Sequence, residues 1–70
     1  MIHSTDPALL LLTVLTAEDL AAAGRAADGY VTLLHGLRRV QENVEEGDPL
    51  IGRWRWSLDD FAVRWSVGRG

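Results

Sequence analysis

The chain of 70 residues contains no cysteine, two histidines and a formal net charge of −3. This length predicts one domain over residues 1–70, and the absence of cysteine excludes disulfides and thiolate metal sites. The negative charge argues against a uniformly basic protein that binds nucleic acid without sequence preference. We expect no cofactor and no metal ion. A core of this size gives little stability, and small domains commonly gain more by oligomerisation.

The first predicted element follows Asp6-Pro7. Aspartate is a favoured N-cap, and proline suits the first helical position because its missing N–H has no partner there. Residues 8–15, ALLLLTVL, are almost entirely apolar. Leucine favours a short buried helix, and the alternative is a central strand, since the run is of strand length and apolar on both faces. It falls short of the roughly 20 residues of a membrane-spanning helix and lacks signal-peptide features, so we expect a cytoplasmic protein without membrane association.

A second helix start is indicated at Thr16-Ala17-Glu18-Asp19, which has the Ser/Thr-x-x-acid pattern of a capping box. From there one apolar side persists at helical spacing as far as Val44, which predicts a long amphipathic helix over residues 17–46. Such a helix would be about 45 Å long, against a diameter of roughly 28 Å for a compact domain of this size. It therefore either packs on another chain or bends near Gly24–Gly29. Gly47-Asp48-Pro49 is interpreted as its end.

Residues 50–67 alternate between apolar and polar positions, which is typical of strands. With a two-residue turn at Asp59-Asp60, the alternation predicts an antiparallel hairpin. Its register pairs Trp54 with Trp65 and Trp56 with Val63 on a buried face. The opposite face carries Arg53, Arg55 and Arg64.

The predicted fold class is therefore α+β. It consists of a short N-terminal apolar helix (or strand), a long amphipathic helix, and a C-terminal two-stranded antiparallel hairpin. A β-α-β-β order is the alternative. A two-stranded ribbon alone is marginal, so a helix must cover it or a strand of another chain must extend it.

No residue pattern predicts catalysis. His35 lies on the polar helix side without an orienting group, and a general base needs both a pocket and such a group. Glu45, Glu46 and Asp48 do not follow the calcium-loop pattern and are interpreted as an acidic helix end. Gly24, Gly29 and Gly36 fall on the polar side of the predicted helix or at its border, with no evident packing role.

We expect a small non-enzymatic protein-interaction or regulatory protein, such as an adaptor, inhibitor or accessory subunit, that acts as an oligomer and binds a protein partner. Its basic residues are all arginine, which is typical of bacterial, phage or mobile-element genes of high GC content. The alternative is a nucleic-acid-binding regulator that uses the arginine face of the hairpin. The candidate partner-binding residues are Arg53, Arg55 and Arg64, and so few cations predict weak binding to DNA or RNA.

Overall fold

The computed structural model describes residues 5–67, which form three α-helices and no strand. Helix α1 spans Pro7–Ala22, α2 spans Ala26–Asn43 and α3 spans Pro49–Arg64. Helix α2 packs against both of the others and runs antiparallel to them. Its first turns, at Gly29, lie against Ala17 and Phe61. Further along, Gly36 lies against Trp54 and lines a groove with Leu9 and Thr13 of α1. Helices α1 and α3 are therefore parallel, and the three share one core.

Helix α1 begins where the sequence predicts. The carboxylate of Asp6 accepts a hydrogen bond from the backbone N–H of Ala8 at 2.9 Å, and Pro7 occupies the first turn. The predicted helix over residues 8–15 is confirmed, and the alternative of a strand there is wrong. Thr16 does not start a new helix, because it lies inside α1. Its hydroxyl donates to the Leu12 carbonyl, one turn earlier, at 3.0 Å.

The predicted helix over residues 17–46 is wrong, because the chain breaks between α1 and α2. Gly24 has a φ of 83°, a left-handed conformation that glycine adopts without steric cost. Its N–H donates to the Ala21 carbonyl at 3.0 Å, and the Arg25 N–H donates to the Leu20 carbonyl at 2.8 Å. These two bonds form a Schellman motif, which satisfies the last carbonyls of α1. The break falls at the start of the segment where a bend was the alternative.

The predicted hairpin over residues 50–67, and with it the α+β fold and the β-α-β-β alternative, is wrong. Asp48-Pro49 does not end a helix but starts α3, and the Asp48 carboxylate accepts from the Leu50 N–H at 2.8 Å. Asp59-Asp60 is no turn and lies inside α3. Two-residue hairpin turns favour glycine, which this pair lacks, so the helix has no strong local competitor.

The helical period changes which side chains of α3 are buried. Trp54 is buried, as predicted, but Trp56 and Val63 are 68% and 64% exposed instead of lying on the core face. Ile51 would share the arginine face of the predicted hairpin, two residues before Arg53, but it is buried. Trp65 is no cross-strand neighbour of Trp54, because it follows Phe61 by one helical turn, with 6.3 Å between the ring centroids.

The core consists mainly of side chains of α2 and α3, to which α1 adds the buried Ala17 and Ala21 and the half-buried Leu9, Leu10 and Val14. Its largest fully buried members are Trp54, Phe61, Leu33 and Val40. Two glycines make the close approach possible, which corrects the expectation that they have no packing role. A Cβ at Gly36 would overlap the six-membered ring of Trp54, and one at Gly29 would overlap the Ala17 carbonyl and the Phe61 ring.

Gly36→Ala tests this packing. We expect it to lower the free energy of unfolding by about 1–3 kcal/mol, because overpacking against Trp54 outweighs the helix propensity that alanine adds. The matched control is Gly52→Ala in α3, where a Cβ meets nothing within 4 Å. This variant should gain about 0.5–1 kcal/mol. Urea denaturation followed by circular dichroism measures both, and equal shifts of the two variants would contradict the close contact.

The end of α3 gives a second prediction. Ser66 has a φ of 55°, and the Val67 N–H donates to the Ala62 carbonyl at 2.9 Å, so a serine occupies a position that favours glycine. We expect Ser66→Gly to raise the free energy of unfolding by about 0.5–1 kcal/mol. Ser57→Gly, in the interior of α3, should lower it by about 0.5 kcal/mol. Thermal denaturation compares the two, and a loss of stability in both would rule out the left-handed end.

Candidate interaction surface

Three leucines of α1 point away from the core. Leu11, Leu12 and Leu15 are 62%, 47% and 50% exposed, and we call them the α1 leucine face. No charged residue occurs between Pro7 and Ala17, so the surface is apolar over about three helical turns. A helix that is apolar on all sides is normally buried on all sides, whereas α1 is covered on one side only.

The polar groups of this stretch are satisfied within the helix. The Thr13 hydroxyl donates to the Leu9 carbonyl at 2.7 Å, as Thr16 does to Leu12. Neither hydroxyl therefore needs a partner outside α1. A second apolar surface can cover the α1 leucine face without leaving an unpaired hydroxyl donor, which would cost about 1–3 kcal/mol.

Two open grooves flank the α1 leucine face. The groove toward α3 has a volume of about 540 Å³ and is lined by Leu10, Leu11 and Val14 on one side and by Arg53 and Ser57 on the other. The groove toward α2 has a volume of about 580 Å³. Leu9 and Thr13 line it together with His35, Arg38 and Arg39 of α2.

The charges around α1 differ between its two ends. The basic side chains of both grooves lie beside its N-terminal half. The C-terminal half carries Glu18 and Asp19, and the carboxylate of Glu18 binds Arg64 of α3 at 2.6 Å. Asp19 is exposed and forms no ion pair within residues 5–67. The apolar surface therefore lies between a basic and an acidic end.

The three arginines that the sequence predicted to share a face lie in separate surroundings. Arg53 lines grooves near the start of α3, and Arg55 lies beside Gln41 and Glu46. Side chains two positions apart on an α-helix differ by about 200° in direction, so Arg53 and Arg55 point to opposite sides of α3. Arg64 lies about 16 Å further along the helix. The shared face required a hairpin, and α3 replaces it.

Arg64 is committed to a contact between helices. Its guanidinium donates to the Asp60 carboxylate at 2.8 Å and binds Glu18 of α1. The hydrogen bond to Asp60 and then the one to Glu18 raise the pKa of Arg64 above its ordinary value. Two carboxylates therefore neutralise this cation, and only Arg53 and Arg55 of the three remain without an ion pair in the described chain.

Other candidates for chemistry stay scattered. His35 is exposed on the groove that Arg38 and Arg39 also line, with no carboxylate among the residues of that groove. Within residues 5–67, no three histidine, aspartate or glutamate side chains come together as metal ligands. No helix in this part of the chain is long and apolar enough to cross a membrane.

Comparison of the chain with protein-family models, with curated proteins and with solved structures finds no match.

The sequence shows that residues 8–15 are almost entirely apolar, but this run alone does not show which of its side chains stay exposed. The signal that identifies them lies one turn beyond that run. Ala17 and Ala21 are small and buried, and α2 approaches α1 closely at Ala17. Extending α1 as one helix through Thr16 places these alanines opposite the three leucines, which marks the outward side.

Glu18→Gln tests the contact between α1 and α3. Both partners are partly exposed, so we expect a loss of less than about 1 kcal/mol at low ionic strength. The loss should nearly vanish in about 1 M salt, where the Debye length is roughly 3 Å. Asp59→Asn is the control, since Asp59 is exposed and unpaired within the described residues. Urea titrations at two salt concentrations measure both variants, and a salt-independent loss in Glu18→Gln would exclude an ion pair.

Proposed function

We propose that this chain is a small non-enzymatic protein-interaction protein of the cytoplasm, with the α1 leucine face as its binding surface. Adaptors, inhibitors and accessory subunits act in this way, through a surface and without a catalytic pocket. The proposal depends on one observation above the others. Three leucines that are about half exposed or more lie side by side on the part of α1, residues 8–16, that carries no charge.

The energetics favour coverage of this surface by another protein. Full burial of a leucine side chain contributes about 1.5–3 kcal/mol, so covering one that is half exposed contributes about half as much. Exposed apolar patches of this kind mark interaction sites. A single helix that presents leucines one turn apart fits a groove between helices or another helix. The basic and acidic ends of α1 then orient the partner, because complementary charges fix register more than they add affinity.

The nucleic-acid alternative has less support than a protein partner. Tight binders of DNA neutralise many phosphates, with a salt slope of about −0.9 for each. Here Arg64 is neutralised by Glu18 and Asp60, and Arg53 and Arg55 point to opposite sides of α3. We therefore keep weak nucleic-acid binding as the expectation.

A capture experiment tests the proposal. The native chain, Leu11→Gln/Leu15→Gln and Trp56→Gln are immobilised and exposed to nuclease-treated bacterial lysate in about 150 mM salt. Glutamine keeps the helix propensity of leucine, so α1 should stay folded. Leu11 and Leu15 are 62% and 50% exposed, so covering their exposed parts contributes about 2–3 kcal/mol, and losing both weakens binding by at least about 10-fold. We expect proteins captured by the native chain to be lost with the double variant and retained by Trp56→Gln, which changes an equally exposed residue of α3.

Equal capture by all three chains would refute the α1 leucine face as the binding surface. A fluorescence titration with duplex and single-stranded oligonucleotides in about 150 mM salt completes the test. Submicromolar binding that Arg53→Ala/Arg55→Ala abolishes, with the fold intact, would make nucleic-acid binding the function instead.

A further inference from the structure

A row of exposed residues on α1 repeats in the way that paired helices require. Ala8, Leu12, Leu15, Asp19 and Ala22 follow one another at spacings of four, three, four and three residues. All five are exposed. This alternation of four and three is the seam of a two-stranded helix pair, in which each residue inserts between residues of the facing helix. We call this row the α1 seam.

We propose that the α1 seam binds the α1 seam of a second copy of this chain in antiparallel orientation. The inference rests on the proposed function, because it names the partner of the same surface. The two-fold axis passes between Thr13 and Val14 of each copy. Leu12 of each copy then faces Leu15 of the other. Ala8 of one copy then faces Asp19 of the other.

The charges of the seam distinguish the two orientations. In a parallel pair, Asp19 of one copy would lie directly against Asp19 of the other, and two like charges at one position of an apolar seam repel. In the antiparallel pair, each Asp19 lies beside Ala8, whose small side chain leaves room for the carboxylate. The N-terminus of the partner helix carries a partial positive charge at that end, which attracts an anion.

The residues around the seam add to this complementarity. Arg38 and Arg39 lie beside the N-terminal half of α1, whereas its C-terminal half is acidic. A two-fold axis across the middle of α1 therefore brings the basic end of each copy next to the acidic end of the other. The chain thus carries both halves of a complementary pair, which is the requirement of a symmetric interface. This self-complementarity is why we choose a second copy over an unrelated protein.

The size of the seam sets the expected strength. Residues 8–22 extend over about 22 Å of helix, so the contact is smaller than the roughly 800 Å² per partner of a stable interface. We therefore expect a dimer that dissociates on dilution within the micromolar range. Gel filtration with light scattering should give close to twice 7.7 kDa at high concentration for the native chain and for Trp56→Gln. Leu12→Gln/Leu15→Gln should stay at the monomer mass.

Cross-linking tests the orientation, because the chain has no cysteine of its own. Two single variants are used: Ala8→Cys, in which Asp19 is unchanged, and Asp19→Cys, which carries the second thiol. A disulfide needs Cα atoms within about 7 Å of each other. In the antiparallel dimer, the two copies of residue 8 lie about 16 Å apart along the helices. We expect the mixture of both variants, oxidised with glutathione, to form the 8–19 disulfide, and Ala8→Cys alone to form almost no covalent dimer.

Three results would overturn the proposal, and each has a distinct meaning. A native chain that remains monomeric at all micromolar concentrations removes the second copy as partner. The proposed function would still stand if lysate capture depended on Leu11 and Leu15. Efficient disulfide formation by Ala8→Cys alone indicates a parallel pair. A dimer that Leu12→Gln/Leu15→Gln leaves intact assigns the interface to another surface, such as Trp56 and Val63.

Discussion

The insertion of the Trp54 ring against Gly36 is the contact on which the rest of the bundle depends. The indole is fully buried, and its N–H finds no acceptor among the described residues, so packing alone holds the ring. Only a residue without a Cβ can face it on α2. Because α3 is fixed in this way, Phe61 reaches a point where α1 and α2 approach closely, at Ala17 and Gly29. The inner side of α1 is thereby determined, and so is the outer side that carries the leucines.

Local signals in the sequence determine where the helices begin, but they depend on how a motif is interpreted. Asp6-Pro7 was correctly interpreted as an N-cap followed by a first-turn proline. Asp48-Pro49 is the same dipeptide, with the same hydrogen bond two residues on, yet after Gly47 it resembles a helix end. Both interpretations are physically sound, because proline is tolerated in the first turn and is also common after a helix. Applying one rule to both dipeptides would have predicted α3.

The wrong prediction of a hairpin has a different origin. The apolar pattern of the segment that forms α3 fits both the strand period and the helix period. The apolar residues of α3 satisfy an alternation of two, and Leu50, Trp54, Leu58 and Phe61 also recur at helical spacing. The periods disagree at Ile51, Trp56 and Val63, and burial follows the helical one. Arg53, Arg55 and Arg64 shared a face only under the strand period, so the candidate site changed with the fold. Contacts between distant residues, such as Trp54 with Gly36, decide between the periods, and pattern alone contains no information on them.

An odd number of antiparallel helices places the two ends of the described chain at opposite ends of the bundle. The chain enters α1 at Thr5 and leaves α3 at Val67, about 24 Å apart along the helix axes. A polypeptide fused before α1 therefore extends beside the end where Ala8 lies, and one fused after α3 extends beside the Glu18–Arg64 contact. In a two-fold antiparallel pair, the leading end of each chain would lie next to the trailing end of the other. Halves of a split reporter fused to opposite termini would meet, whereas halves fused to the same terminus would stay apart.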